Sequence, residues 1–216
     1  TTKKKNGHTP EPGVMRQPGE TGALLHVSVT CVGIKPLMMA RLSPEVLEGI
    51  RTGVKPPKGR GKILTPREEA EKGLYLLEDG TPHLPVENVM SCLIAAGIYI
   101  RLDGKRQLST AKSSLLPGFM SILNTEIPLY DPETGNAPEW IVDMRRAVNP
   151  NGGTVCACRP RFDRWAFKMK VEIDTYEIAP EMIRDLFDKS GRRVGLGPMR
   201  PSKKGPYGQF RVDGWE

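Results

Sequence analysis

The sequence has few of the features that would place it in a membrane or an oxidising compartment. No run approaches 18 apolar residues, so we expect no membrane span. The N-terminal residues lack the apolar stretch of a signal peptide. Four cysteines are present, without a CxxC motif or the spacing of a disulfide framework: Cys31, Cys92, Cys156 and Cys158. These absences together favour a reducing, cytoplasmic location.

Catalytic and metal-binding signatures are also missing. The sequence has no HExxH, HxH, GxSxG, DxD or P-loop motif, and its three histidines are scattered. Cys156 and Cys158 should share one face of a strand, but a zinc site would require two further ligands. Isolated carboxylates such as Asp143 are interpreted as structural or solvated. We therefore predict no cofactor, no metal site and no catalytic residue.

The feature that stands out is positive charge in loop-like segments. Lys and Arg number 32 against 25 Asp and Glu, so the net charge is +7, and the pI is about 9.3. Residues 51–67 carry six basic and no acidic residues, and residues 139–170 carry seven basic and three acidic. A basic chain with such clusters favours a polyanionic partner. For any one cluster, an ordinary solvated surface remains the alternative.

The pattern of secondary structure predicts an α+β protein. Residues 1–22 contain almost no sizeable apolar side chains and are predicted to form a flexible arm. Residues 23–34 read as a strand, and residues 165–174 alternate apolar and polar side chains, as a half-buried strand does. Apolar residues recur at helical spacing in 85–96 and 179–190, and we expect Gly97 and Gly191 to end these helices.

This order of elements predicts a ferredoxin-like or RNA-recognition-type core. Two helices would cover one face of a mainly antiparallel sheet in a split βαβ arrangement. Residues 23–216 would form a single α+β domain, with inserted hairpins and loops at about 35–84 and 103–164. Strands at 140–148 and 154–162 should form one inserted hairpin.

The C-terminal stretch GRRVGLGPMRPSKKGPYGQF, residues 191–210, combines glycines with basic residues. Glycine permits close backbone approach and positive φ, and the basic side chains supply counter-charge for phosphates. An ordinary Gly/Pro-rich connection is the alternative. The candidate nucleic-acid-binding residues in this stretch are Arg192, Arg193, Gly195, Gly197, Arg200, Lys203, Lys204, Gly205 and Gly208.

The hairpin around residues 149–153 carries a second candidate group, and two basic loops carry a third. Arg159 and Arg161 should lie on one face of their strand. The nearby aromatic residues are predicted to belong to the core. The hairpin candidates are Arg145, Arg146, Arg159 and Arg161. The loop candidates are Lys55, Lys58, Arg60, Lys62, Lys105, Arg106 and Lys112.

Several of these segments together resemble a known family. The first strand runs into Gly-Ile-Lys-Pro-Leu-Met, the helix LPVENVMSCLIAAG precedes a basic Ser/Thr-rich loop, and the chain closes with VGLGPMRPSKKGPYGQF. This order is similar to that of the repeat-associated mystery proteins (RAMPs) of CRISPR systems, in particular backbone subunits that polymerise along a guide RNA. The final stretch also resembles proteins of phages and mobile elements.

The resemblance to RAMPs implies a binding function. Basic residues would neutralise guide phosphates, and sequence would be read by base pairing with a target. The expected partners are a single-stranded guide RNA, a target nucleic acid, neighbouring copies of the chain and other effector subunits. Two alternatives remain open: a phage or plasmid single-strand binding or annealing protein, and a structural assembly protein.

Overall fold

The computed structural model describes residues 24–54, 64–148 and 152–216. Three predicted features lie wholly or partly outside this range: the arm, residues 149–151 of the predicted hairpin connection, and four of the candidates, namely Lys55, Lys58, Arg60 and Lys62. The helices are α1 (Pro44–Thr52), α2 (Pro66–Glu71), α3 (Val86–Ala96), α4 (Leu116–Phe119) and α5 (Pro180–Lys189). The strands are β1 (Leu24–Gly33), β2 (Leu37–Met38), β3 (His83–Pro85), β4 (Arg101–Leu102), β5 (Arg106–Gln107), β6 (Met120–Ile122), β7 (Glu126–Tyr130), β8 (Ile141–Val148), β9 (Thr154–Phe162), β10 (Ala166–Asp174) and β11 (Phe210–Trp215).

The central sheet has the strand order β11-β1-β10-β7-β3, and β6 also pairs with β10. Every pairing in it is antiparallel, and the register of β1 with β10 runs from Leu24 opposite Asp174 to Val32 opposite Ala166. The helix α3 lies between β1 and the β6–β7 segment in the chain, and α5 lies between β10 and β11. Across the sheet, β11 therefore lies beside β1, β1 beside β10, and β10 beside β7. If these four strands are numbered by their order in the chain (β1, β7, β10, β11), their order in the sheet is fourth, first, third, second. This is the ferredoxin-like split βαβ topology, so the predicted α+β fold is confirmed.

The core lies between this sheet and the two helices. The alternation in β10 buries four apolar side chains, each at most 1% exposed: Phe167, Met169, Val171 and Ile173. On the opposite face of the strand, Lys168 and Lys170 are exposed. The helix α3 contributes Val89, Leu93 and Ala96 to the same core, and α5 contributes Ile183, Leu186 and Phe187. Burying these side chains is the main stabilising contribution, because each removes apolar surface from water.

A second, three-stranded sheet has the order β2-β9-β8. It joins the two segments that the sequence suggested as insertions, because β2 comes from the first and the β8–β9 hairpin from the second. Leu37 pairs with Phe162 and Met38 with Arg161. The helix α2 packs on this sheet, where the guanidinium of Arg67 lies 3.5 Å from the ring centre of Trp140.

The two helix ends compare differently with the sequence prediction. Gly97 is the C-cap of α3, which ends at Ala96 as predicted, but its φ of −58° is right-handed and the backbone continues into a 3-10 turn, Gly97–Tyr99. After α5 the backbone continues through Gly191 as a π-helical turn, Ser190–Val194. Both glycines are explained by packing: an added Cβ would lie 2.2 Å from the hydroxyl oxygen of Ser109 or the carbonyl oxygen of Phe210, respectively. No helix in the described part of the chain combines the length and hydrophobicity needed to cross a bilayer.

Candidate nucleic-acid interface

The glycine-rich loop, Gly195–Gly208, is held by its own backbone hydrogen bonds. The amide of Leu196 donates to the carbonyl of Gly208 at 2.8 Å, and the amide of Gly208 donates to the carbonyl of Pro36 at 2.7 Å. Within the loop, the amide of Tyr207 donates to the carbonyl of Met199 at 3.0 Å. The loop is therefore a folded unit docked on the chain just before β2, and its side chains have defined positions.

The glycines of this loop are required by contacts inside the protein. Gly195, Gly197 and Gly208 have φ values of 73°, 80° and 68°, in the left-handed region that favours glycine. An added Cβ would lie 2.3 Å from the carbonyl oxygen of Met38 at Gly197, 2.0 Å from that of Met199 at Gly205 and 1.8 Å from that of Leu196 at Gly208. The glycines thus allow the backbone of the loop to approach itself closely, and at Gly197 to approach the backbone of β2. This structural role needs no ligand.

The basic residues of the loop point outward or line its edge. Lys203 and Lys204 are exposed. The guanidinium of Arg200 donates to the carbonyl of Gly197 at 2.8 Å and to the hydroxyl of Ser202 at 2.9 Å, which fixes its position. Arg193 lies 4.7 Å from the ring centre of Tyr99. We call Arg192, Arg193, Arg200, Lys203 and Lys204 the basic loop surface. Within the described residues, these five cations form no salt bridge to a carboxylate.

The β8–β9 hairpin has two kinds of arginine. Arg145 and Arg161 both form ion pairs with the buried carboxylate of Asp143, Arg161 at 3.0 Å. The hydrogen bond from Arg145, together with the second arginine, holds the pKa of Asp143 below its usual range. Arg145 also donates to the hydroxyl of Tyr207, which ties the hairpin to the glycine-rich loop. Arg161 also pairs with the carboxylate of Asp163 at 2.8 Å, so both arginines have acidic partners, which sequence reasoning did not assign to them.

The remaining hairpin arginines are free of acidic partners in the part of the chain that the structure describes. Arg159 and Arg161 lie on the same face of β9, as predicted, because they are two residues apart in the strand. Arg159 is paired with Asp143 in the register of the hairpin. Arg146 donates to the hydroxyl of Thr154 at 3.3 Å. Of the four nearby aromatic residues predicted to belong to the core, Phe162, Trp165 and Phe167 are completely buried, whereas Trp140 is only partly buried and packs against the core from outside.

The third candidate group lies on the segment after α3. Lys105 and Arg106 belong to the β4–β5 hairpin, and Lys112 belongs to a turn closed by the hydroxyl of Thr110. All three are exposed, without a salt bridge to any carboxylate that the structure describes. The amide of Ser109 bonds to Gly97 at 3.3 Å, so this segment packs on the end of α3.

A cleft beside the loop was not predicted from the sequence. It has a volume of about 260 Å³ and lies between β2, α3 and the glycine-rich loop. Its lining includes Tyr75, Asn88, Ser91, Cys92 and Arg200. The spacing of 88, 91, 92 and 95 on α3 marks one helix face, but nothing in the sequence shows that this face meets the loop.

The cysteines and carboxylates do not assemble a metal centre in the described residues, where no group of three His, Cys, Asp or Glu side chains could hold an ion. Cys92 donates from its Sγ to the carbonyl of Gly195 at 3.3 Å, and burial raises its pKa to about 12. The thiol is therefore neutral at physiological pH.

Comparisons with known proteins return structures and no sequence relatives. No family model matches the chain, and no curated protein does. One structural match is a chain of the Type III-B Cmr-beta complex bound to cognate target RNA, with a TM-score of 0.48 and 10% identity. That match covers 89% of this chain, which spans only 60% of the matched chain.

A second structural match is Cmr6 from Pyrococcus furiosus, with a TM-score of 0.45, 10% identity and coverage of 88% of this chain and 99% of that one. Both matches are type III-B CRISPR subunits of the RAMP family, the family that the sequence resembles. At 10% identity and with TM-scores below 0.5, the two matches assign neither a function nor partners to this chain.

Proposed function

We propose that the protein binds single-stranded RNA through the basic loop surface. The observation that carries this proposal is that five cations lie on one hydrogen-bonded loop and the turn that precedes it, with no carboxylate neutralising them among the described residues. By contrast, Arg145 and Arg161 both pair with the carboxylate of Asp143.

The loop has the properties that phosphate binding requires. Cations that track phosphates release condensed counterions, which supplies most of the affinity for a polyanion. Because Arg200 is already held by Gly197 and Ser202, it loses little conformational freedom on binding. Lys203 and Lys204 are exposed, so they can reach a backbone without losing other contacts.

The finer proposal is that the RNA is a guide, along which copies of the chain assemble in a CRISPR-type effector complex. This is what the resemblance to RAMP backbone subunits implies. One surface of the fold supports contacts with a neighbour: α1 buries none of its residues and leaves Val46, Leu47 and Ile50 between 41% and 68% exposed. A neighbouring copy of the chain would cover these apolar side chains and remove them from water.

The test of RNA binding is a quadruple alanine variant that removes four cations of the basic loop surface: Arg192, Arg193, Lys203 and Lys204. Affinity for a single-stranded RNA should fall, and the slope of log K against log salt should become shallower by about 3, since each lost phosphate contact contributes about 0.7 for single strands. Filter binding or fluorescence anisotropy at several salt concentrations measures both quantities.

The matched control removes the same number of exposed basic residues from other surfaces: Lys72, Lys168, Lys170 and Arg184. This control should keep the wild-type salt slope to within about 1. Equal losses in the two variants would mean that binding reflects net charge alone, and unchanged affinity in the loop variant would overturn the proposal. Melting followed by circular dichroism checks that both variants are folded.

The guide role is tested by purifying the protein without nuclease alongside the products of its neighbouring genes. A discrete RNA of one length, protected at regular intervals, is the expected result. If the protein instead binds single strands of any sequence with equal affinity and anneals them, the result would favour a single-strand binding or annealing protein. If the purified protein shows no excess absorbance at the wavelength of nucleic acids, and its assembly survives nuclease, the result would favour a structural role.

A further inference from the structure

We propose that the cleft between α3, β2 and the glycine-rich loop holds one unstacked nucleobase of the bound RNA. This inference rests on the proposed RNA binding and adds a base-sized site to a surface that otherwise contacts phosphates. The sequence prediction included the wall that the loop contributes, through Gly195, Gly197 and Arg200, but placed no binding residue on α3, on β2 or at Tyr75.

The floor and walls of the cleft have the mixed character that a base requires. Leu37, Leu84 and Leu196 are at most 4% exposed and form apolar lining, and Tyr75 adds an aromatic ring. A base has an apolar π-face and a polar edge, so it gains from stacking on such a surface while its edge seeks donors and acceptors.

Polar groups line the cleft where the edge of a base would lie. Asn88 and Ser91 are exposed on α3, and their side chains have no hydrogen-bond partner within the described residues. Across the cleft, Arg200 uses Nε and one terminal nitrogen on Ser202 and Gly197, which leaves further N–H donors. Cys92 lies in the lining as a neutral thiol, so the cleft carries no negative charge from this side chain.

The volume and position of the cleft also fit a single base. Pockets that bury a whole drug-sized ligand usually measure about 300–1,000 Å³, and this cleft of about 260 Å³ suits a smaller fragment. Ser202 lines the cleft directly beside Lys203 and Lys204 in the chain. When the phosphates of an RNA strand contact those lysines, a neighbouring base of the same RNA can therefore reach the cleft.

The experiment compares two RNA probes: an eight-nucleotide oligouridine and the same ribose-phosphate backbone without bases. The wild-type protein should bind the base-free backbone about tenfold more weakly, within the range of stacking one base on an aromatic side chain. Ala95→Trp fills the cleft from an exposed position of α3 and should bind the two probes equally, at the wild-type affinity for the base-free backbone.

The matched control is Glu87→Trp, an exposed position on the same helix that does not line the cleft, and it should keep the tenfold ratio. If Ala95→Trp does not fold, Ala95→Leu should lower the ratio in the same direction. A wild-type ratio near one, or a full tenfold ratio in the filled variants, would overturn the base site. Absence of wild-type binding to either probe would instead overturn the proposed RNA binding itself.

Discussion

Replacing Gly208 with alanine tests whether the glycine-rich loop is shaped by its own backbone. Gly208 has a φ of 68°, and an added Cβ would lie 1.8 Å from the carbonyl oxygen of Leu196. The neighbouring hydrogen bond from the Leu196 amide to the Gly208 carbonyl, at 2.8 Å, holds these two segments together. The new methyl group therefore meets backbone that cannot rotate away.

The expected cost has two parts. An alanine in the left-handed region costs about 1–2 kcal/mol, and overpacking a tight contact adds about 1–3 kcal/mol. Reduced freedom of the unfolded chain offsets about 0.4–1 kcal/mol. Gly208→Ala should thus lower the free energy of unfolding by about 3 kcal/mol, which for a chain of this size corresponds to a fall in Tm of about 6–12 °C.

Gly135→Ala is the matched control, because Gly135 has a similar φ of 74° but nothing within 4 Å of an added Cβ. It should lose only the conformational part, about 1 kcal/mol. Differential scanning calorimetry and urea unfolding measure both variants. Equal losses in the two would refute the argument that close backbone approach at Gly208 requires glycine.

Two further predictions concern groups around the loop. Because the pKa of Asp143 is lowered in the folded protein, the stability it contributes is present above the unfolded pKa, about 3.9, and is lost as pH falls through the folded pKa. Asp143→Asn should therefore destabilise the protein more at pH 7 than at pH 2, as urea unfolding at the two pH values will show, and a constant difference would contradict this. Iodoacetamide at pH 8 should alkylate the exposed Cys156 well before the buried Cys92, whose thiol is protonated. Mass spectrometry reads the order, and early labelling of Cys92 would contradict the burial argument.

The sequence predicted the core elements because their patterns are local. Alternation in β10 and helical spacing in α3 and α5 each reflect one face turned to the core, so the period alone reveals them. The N-caps of α1 and α2 are also local, since Ser43 accepts a hydrogen bond from the amide of Val46 and Thr65 from that of Glu68. Element order then sufficed for the split βαβ arrangement, which the antiparallel pairing of the central sheet confirms.

Helix ends and irregular segments were predicted less well. A glycine after an apolar helix usually marks a left-handed C-cap, but Gly97 caps α3 with a right-handed φ, and Gly191 lies inside the π-helical turn that follows α5. Both glycines are needed for close contacts, with Ser109 and Phe210, that no local pattern reveals. The segment 119–127, whose composition suggests one continuous strand, is divided into the end of α4, the strand β6 and the start of β7. For the two glycines, a tertiary contact outweighs the local preference.

The amino-acid sequence by itself determined the fold class, the buried face of each main element and the positive charge of the C-terminal loop, because these depend on composition and on local periodicity. Only the tertiary structure decided which cations are free. Asp143 reaches Arg161 across the hairpin, and Tyr207 reaches Arg145 from 62 positions away, so pairing depends on strand register and loop docking. The cleft has the same origin, since its walls come from segments that meet only when the chain has folded.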